Sequence, residues 1–206
     1  GAVQVILPEW FPVTEDEAFA FLERMADTAA GIGLVLYNPP HAKRVLNPEQ
    51  IGRLAERVPA LVGLKTAGGD DAWYASMRQH LARLSVFVPG HLLASGVRRG
   101  AHGAYSNVAC LNPAAAQRWT GQMQTDMAAA LEVEQRLRRF MDGYIAPLIT
   151  QQRYCNAACD RFMAVLGGWA DVGQRMRWPY RSIPSAEAVR IRPAARTLIP
   201  EFITHD

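Results

Sequence analysis

A lysine stands inside an otherwise apolar run, Leu61-Val-Gly-Leu-Lys65-Thr-Ala-Gly-Gly-Asp70. An ammonium in such a place carries a large desolvation cost unless it is paired or neutralised. One reading is a side chain that snorkels from a strand end to solvent. The other is an amine whose pKa burial lowers, so that it attacks a carbonyl and forms a Schiff base. The run alone does not choose between them; Tyr37 does. It closes the preceding apolar run, Leu34-Val-Leu-Tyr37-Asn-Pro-Pro40, just before a rigid turn. Side chains at the C-terminal ends of adjacent parallel strands share one mouth, where α/β barrels keep their active sites. A phenol beside an amine nucleophile can shuttle the protons of carbinolamine formation and dehydration. A lone tyrosine there reads as a core residue with a wet hydroxyl; one strand away from Lys65 it reads as part of a site.

Other clusters are blander. Cys155 and Cys159 share a face of an expected helix, but a zinc site needs two more ligands, and His41, His80, His91, His102 and His205 are scattered. No metal site is expected. Asp70 and Asp71 read as helix-start charges. Glu132–Arg139 (EVEQRLRR) reads as a solvated helix face with local ion pairs.

These residues are carried by an alternating pattern of strands and helices. Strand-like runs lie at Val3–Pro8, Gly33–Asn38, Val62–Ala67, Ser85–Gly90 and Gly103–Val108. Between them fall helices over Thr14–Ala29, opened by a Thr14/Glu17 capping box, over Asn47–Arg57 with Pro48 at its first position, over Asp70–Arg83, and around Leu92–Arg99. Short continuous apolar strands alternating with helices argue for parallel strands with right-handed crossovers. After Pro113 only helical patterns remain: Ala114–Gln124, Asp126–Tyr144, Thr150–Leu166 and Ala186–Leu198. The division expected is therefore an α/β part over 1–113 and a helical part over 114–206. Gly167–Pro184 reads as an exposed linker.

Composition excludes several classes. With 50% hydrophobic and 20% charged residues over 206 positions, the chain can bury a sizeable core. Its formal net charge of +3 gives no basic stripe for nucleic acid or a membrane surface. Three cysteines make no disulfide framework and fit a reducing compartment. Every apolar run is broken by Gly, Pro or a charge before the ~18 residues a membrane span needs. Gly1–Pro8 lacks the basic leader of a signal peptide, so a cytoplasmic location is expected.

Tyr37-Asn-Pro-Pro, then Val62-Gly-Leu-Lys65-Thr-Ala-Gly-Gly-Asp70, then Gly100-Ala-His-Gly-Ala-Tyr-Ser106, resemble in order and spacing the dihydrodipicolinate synthase and N-acetylneuraminate lyase superfamily. The resemblance implies a TIM (β/α)8 barrel with a C-terminal helical appendix. It also implies pyruvate or a 2-oxo acid held as an imine, no other cofactor, and a homo-oligomer, dimer or tetramer. Carried over by motif, Lys65 is the Schiff-base lysine and Tyr37 the proton relay. Tyr105, where the family usually has an aliphatic residue, and Ser106 line the pyruvate pocket. Gly63 gives the tight wall beside the imine, and Gly90 keeps space at its strand end.

The chain also departs from the family. Against the family's pattern it reads as strands four to eight only, so the strands and the turn that binds the pyruvate carboxylate are expected on a longer chain. The synthase's acceptor-binding arginine, five positions after the tyrosine, is replaced by Ala42, with Lys43 and Arg44 following. Its pair of tyrosines after strand four is replaced by Pro8-Glu9-Trp10-Phe11-Pro12. An indole donates but cannot relay a proton as a phenol does. Trp10 and Glu9 are then expected to shape acceptor specificity, and His41, Lys43 and Arg44 to meet an anionic substrate. The expectation is a Schiff-base aldolase, lyase or dehydratase on a different 2-oxo acid. The alternatives are a true 4-hydroxy-tetrahydrodipicolinate synthase using Arg44, and a non-catalytic relative with a binding or regulatory role.

Overall fold

A computed structural model of the chain describes residues 1–204. Two compact units emerge, one made of Gly1–Pro89 with Gly96–Tyr105, the other of Gly90–Ser95 with the chain from Ser106 onward.

The first unit is α/β. Strands β1 (Ala2–Ile6), β2 (Gly33–Asn38), β3 (Leu61–Thr66), β4 (Ser85–Pro89) and β5 (Gly103–Tyr105) form one all-parallel sheet in chain order. Helices α1 (Glu15–Ala29), α2 (Pro48–Arg57) and α3 (Asp71–His80) cross between the first four strands, and α4 (Leu93–Arg98) precedes the fifth. The helices start where side chains satisfy orphan amides. Thr14 and Glu17 exchange bonds of 3.2 and 2.6 Å, Asn47 and Gln50 exchange bonds of 2.9 and 3.0 Å, and Asp70 accepts from Trp73 N at 2.8 Å. One face of the sheet is closed. Leu36, Leu64 and Val86 sit on it almost without exposure, against stripes made by Leu22 of α1, Ile51 and Leu54 of α2 and Met77 of α3. Each such side chain contributes ~1.5–3 kcal/mol of transfer free energy.

Register decides what stands on the other face. Leu34 pairs with Leu61, but Val35 already pairs with Gly63, so Val62 is one residue extra in the ladder. This β-bulge advances β3 by one position and sets Lys65, not Leu64, opposite Tyr37. A single row then crosses the sheet: Ile6, Tyr37, Lys65, Phe87 and Gly103.

The second unit is helical, with α5 (Val108–Leu111), α6 (Pro113–Thr125), α7 (Met127–Phe140), α8 (Ala146–Thr150), α9 (Asn156–Gly167) and α10 (Ser185–Leu198). Phe140, Phe162 and Phe202 are fully buried in it, and Trp119 meets Phe202 edge-on at 6.2 Å while donating to Ala130 O at 3.0 Å. Gly167 lies directly on the Leu111 carbonyl, where a Cβ would overlap it. Arg136 binds Leu198 O at 2.9 Å and pairs with Glu201, which ties the end of the chain to α7.

Several expected boundaries move, among them β1 to Ala2–Ile6 and the helix expected to Arg83, which ends at His80, and three of the shifts have a visible cause. The fifth strand ends at Tyr105 rather than Val108, because Ser106 Oγ accepts from Ala109 N at 3.2 Å and Val108 already begins α5. The helix expected to run to Tyr144 gives way after Phe140 to a π turn over Met141–Ile145. Pro147 cannot donate to the Gly143 carbonyl four residues back, and the widened turn accommodates its ring. The helix expected from Thr150 begins only at Asn156: Tyr154 N closes on Leu148 O at 3.0 Å, and Arg153 adopts a left-handed φ of 60°. Cys155 therefore precedes α9 as its cap, instead of sharing a helical face with Cys159. Among the described residues no helix is long and apolar enough to cross a membrane.

Candidate active site

Tyr37 and Lys65 are register partners on neighbouring strands, so their side chains rise from the same face of the sheet. Lys65 Nζ lies 3.9 Å from the centroid of the Tyr37 ring and 5.0 Å from that of Tyr105. Two aromatic faces thus look at one nitrogen. Ring quadrupoles attract a positive nitrogen whether it is an ammonium or a protonated imine. All three side chains are at least partly open to solvent, with Tyr105 at 43%.

The ring that props this arrangement is Phe87, which the sequence reading passed over. It follows Lys65 in the row and meets Tyr105 edge-on at 5.4 Å and 83°. It lies in space that two glycines leave. A Cβ on Gly63 would stand 3.3 Å from Phe87 Cε2, 3.2 Å from Val35 Cγ2 and 3.1 Å from Ser85 O. A Cβ on Gly103 would stand 3.2 Å from Phe87 Cδ1. The signal available in sequence was the pair of strand glycines, which announces a bulky neighbour without naming it.

The next residue along each strand, facing the other way, fixes the exit of the loop. Asn38 is buried and clamps Leu46 from both sides, donating to its carbonyl at 2.8 Å and accepting from its amide at 3.1 Å. That clamp closes the segment 39–46 and holds the end of β2 where Tyr37 sits. Thr66 Oγ1 accepts from Gly68 N at 3.2 Å, shaping the turn after Lys65, and Gly68 takes a φ of +78° there. Neither Asn38 nor Thr66 was singled out in the sequence, where both look like ordinary strand-end polar residues.

Trp10 and Arg44 form a separate group. The Trp10 side chain is 92% exposed. Lys43 Nζ donates to Trp10 O at 2.6 Å and stands 5.9 Å from its ring centroid, and Arg44 donates to Val13 O. The two basic residues lace the loop after β1 to the loop after β2. Gly90 and Ser106 fall in the second unit, where a Cβ on Gly90 would overlap Ser106 Oγ and stand 3.0 Å from Asn107 Oδ1. Asn107 also binds His91, whose Nδ1 is 2.9 Å from the amide nitrogen. Burial lowers the pKa of that imidazole, with the hydrogen bond to Asn107 opposing. Asp70 is a helix cap, and Asp71 pairs with Arg99 at 3.1 Å. Among the described residues no three His, Cys, Asp or Glu side chains gather as a metal site, and His205 lies outside those residues.

No protein-family model matches the sequence. A 4-hydroxy-tetrahydrodipicolinate synthase from Roseobacter denitrificans is 29% identical over 170 residues, covering 77% of this chain and 56% of that protein. A probable 5-dehydro-4-deoxyglucarate dehydratase from Rhizobium rhizogenes is 27% identical over 172 residues, covering 79% and 54%. Among solved structures, a prophage protein of the dihydrodipicolinic acid synthase family from E. coli K12, in complex with pyruvate, superposes with a TM-score of 0.79 at 20% identity, covering 96% of this chain and 66% of that one. The chain resembles the dihydrodipicolinate synthase and N-acetylneuraminate lyase superfamily. N-acetylneuraminate lyase from Mycoplasma synoviae has the same fold, with a TM-score of 0.68 at 19% identity over 96% of this chain and 64% of that one. The five parallel strands in chain order match part of the TIM barrel of these solved structures. The chain spans about half the length of the curated relatives it matches, 56% and 54%.

Proposed function

We propose that this protein is a Schiff-base class I aldolase or lyase of the superfamily, acting on pyruvate or another 2-oxo acid. The observation that carries this reading is the Lys65 nitrogen held before the faces of Tyr37 and Tyr105. Pyruvate bound to the E. coli relative supports the substrate class.

In this reading the neutral Lys65 amine attacks the keto carbon, forming a C–N bond while the keto oxygen takes a proton. The carbinolamine loses its hydroxyl as water, with the Tyr37 phenol supplying the proton and recovering one from nitrogen or solvent. The product is a protonated imine. Its positive charge draws the electrons of a C3–H bond, the proton leaves, and an enamine forms. In the synthetic direction the enamine carbon adds to an aldehyde, and the new alkoxide takes its proton from Tyr37. The reverse sequence cleaves that carbon–carbon bond. On a 2-oxo acid with a hydroxyl at C4, the corresponding enamine expels that hydroxyl, which leaves as water with a proton from Tyr37; this is the dehydratase variant, which the Rhizobium relative brings into view. Water then releases the product and regenerates Lys65. The rings of Tyr37 and Tyr105 lower the energy of the cationic stages. No metal or organic cofactor enters this chemistry. A homo-oligomer belongs to the same proposal.

Arg44 favours this order of readings over a strict synthase. One of its guanidinium nitrogens already serves the Val13 carbonyl, and Ala42 offers nothing to an acceptor carboxylate. The test is borohydride trapping on the intact protein with pyruvate. Irreversible reduction of an imine on the peptide containing Lys65 is expected. No adduct with pyruvate or with longer 2-oxo acids would overturn the reading.

A further inference from the structure

The second unit carries two adjoining cavities that the proposed chemistry does not use. One, of about 570 Å³, is lined by Cys155, Asn156, Ala157, Arg161, Arg175, Met176, Arg177 and Tyr180. The other, of about 360 Å³, is lined by Arg153, Arg181 and Tyr154, among others, and shares the Cys155 and Tyr180 wall. Five arginines thus stand around two hollows that share Cys155 and Tyr180. None of the ion pairs among the described residues involves any of them. The linings of the two cavities include no carboxylate, so the positive potential there favours an anion.

Two of the five are already set in place. Arg161 donates to Val172 O at 2.7 Å; Arg181 donates to Gln152 O and stacks 4.6 Å from the Tyr154 ring centroid. A guanidinium anchored through one nitrogen keeps its remaining donors aimed, which reduces the entropy lost on binding. The guanidinium groups of Arg153, Arg175 and Arg177 have no hydrogen bond or ion pair among the described residues. The first turn of α9 forms part of the same wall, and its cap residue, Cys155, gives it no side-chain acceptor. Ala158 N already closes on Cys155 O at 3.0 Å, so the unpaired donors of that turn are the amides of Asn156 and Ala157, both residues of the cavity wall. The loop that supplies Arg175 and Arg177 also holds Gln174, whose Nε2 is buried without a hydrogen-bond partner.

We propose that these cavities bind a phosphate-bearing small molecule, its tetrahedral oxyanion held by the start of α9 with Arg161, Arg175 and Arg177, and a second anionic group by Arg153 and Arg181. Three or more acceptor oxygens suit this set of donors better than a single carboxylate does. The volume admits a diphosphate or a phosphate ester. The site stands independently of the Schiff-base reading.

Calorimetric titration of the intact protein with orthophosphate, pyrophosphate and malonate tests it. Saturable binding at one site per chain is expected for both phosphates, tighter for pyrophosphate and weakening as NaCl rises. The double variant Arg175→Ala/Arg177→Ala, on an exposed loop, should lose at least tenfold in pyrophosphate affinity, while Arg118→Ala, elsewhere in the helical unit, should not. Pyrophosphate should also slow N-ethylmaleimide labelling of Cys155, which lines both cavities. Absence of saturable phosphate binding, unchanged affinity in the double variant, or tighter binding of malonate than of pyrophosphate would each overturn the proposal.

Discussion

The nitrogen of Lys65 lies before the rings of Tyr37 and Tyr105, and this sets what single substitutions should do. Tyr37→Phe keeps a ring face beside the nitrogen and removes the proton carrier. Turnover should fall ~10²–10⁴-fold while borohydride still traps the lysine, slowly. Lys65→Arg should abolish trapping outright and leave the melting curve nearly unchanged. Phe87→Ala is a different kind of change. It empties the space between Gly63 and Gly103 and removes the edge that holds Tyr105, at a cost of ~2 kcal/mol for a half-buried ring, read by urea unfolding. His91 gives a pH signature. Burial depresses its folded pKa below the ordinary 6.5, so the folded chain binds fewer protons than the unfolded chain. Stability should hold above pH 6.5 and decline as pH falls below it, and His91→Asn should flatten that decline in a thermal-melt series. Lys65 and Tyr37 were legible because an amine in an apolar strand and a phenol at a strand end are both out of place. Phe87 was not, because an aromatic residue in a strand is what any strand contains.

At the scale of elements, side-chain caps were the most readable feature, since Thr14, Asn47 and Asp70 act within four residues of themselves. Register was the least readable. The extra Val62 depends on where β3 meets β2, which is a long-range fact. The same holds for the break at 151–155, where local propensity favours a helix and tertiary closure onto Leu148 ends it. Asn38 belongs at this scale because its two bonds to Leu46 span a loop. Asn38→Ala leaves a buried amide and carbonyl unsatisfied, a cost of ~1–3 kcal/mol. Hydrogen exchange should quicken across residues 39–46 before the rest of the sheet loosens.

For the whole molecule, the parallel sheet ends in two strands, β1 and β5, with no further neighbour among the described residues. Unpaired parallel edges invite association. A polypeptide limited to these 206 residues is expected to elute as mixed oligomers in size exclusion, and a single sharp monomer peak would contradict that. The fold class and the order of its strands were legible from the alternation of apolar runs with capped helices. The helical unit's arginine-lined hollows were not, because Arg153, Arg161 and Arg175 sit on separate segments, the turn before α9, α9 itself and the loop after it, which only the tertiary fold brings to one place. The bulge at Val62 divides β3 by its tolerance of insertions and deletions. Removing a residue at the bulge merely regularises the ladder and leaves Lys65 in line with Tyr37. Removing one between Gly63 and Lys65 turns the amine toward the helices. Along six residues of strand, chain length is negotiable on one side of a single valine and fixed on the other.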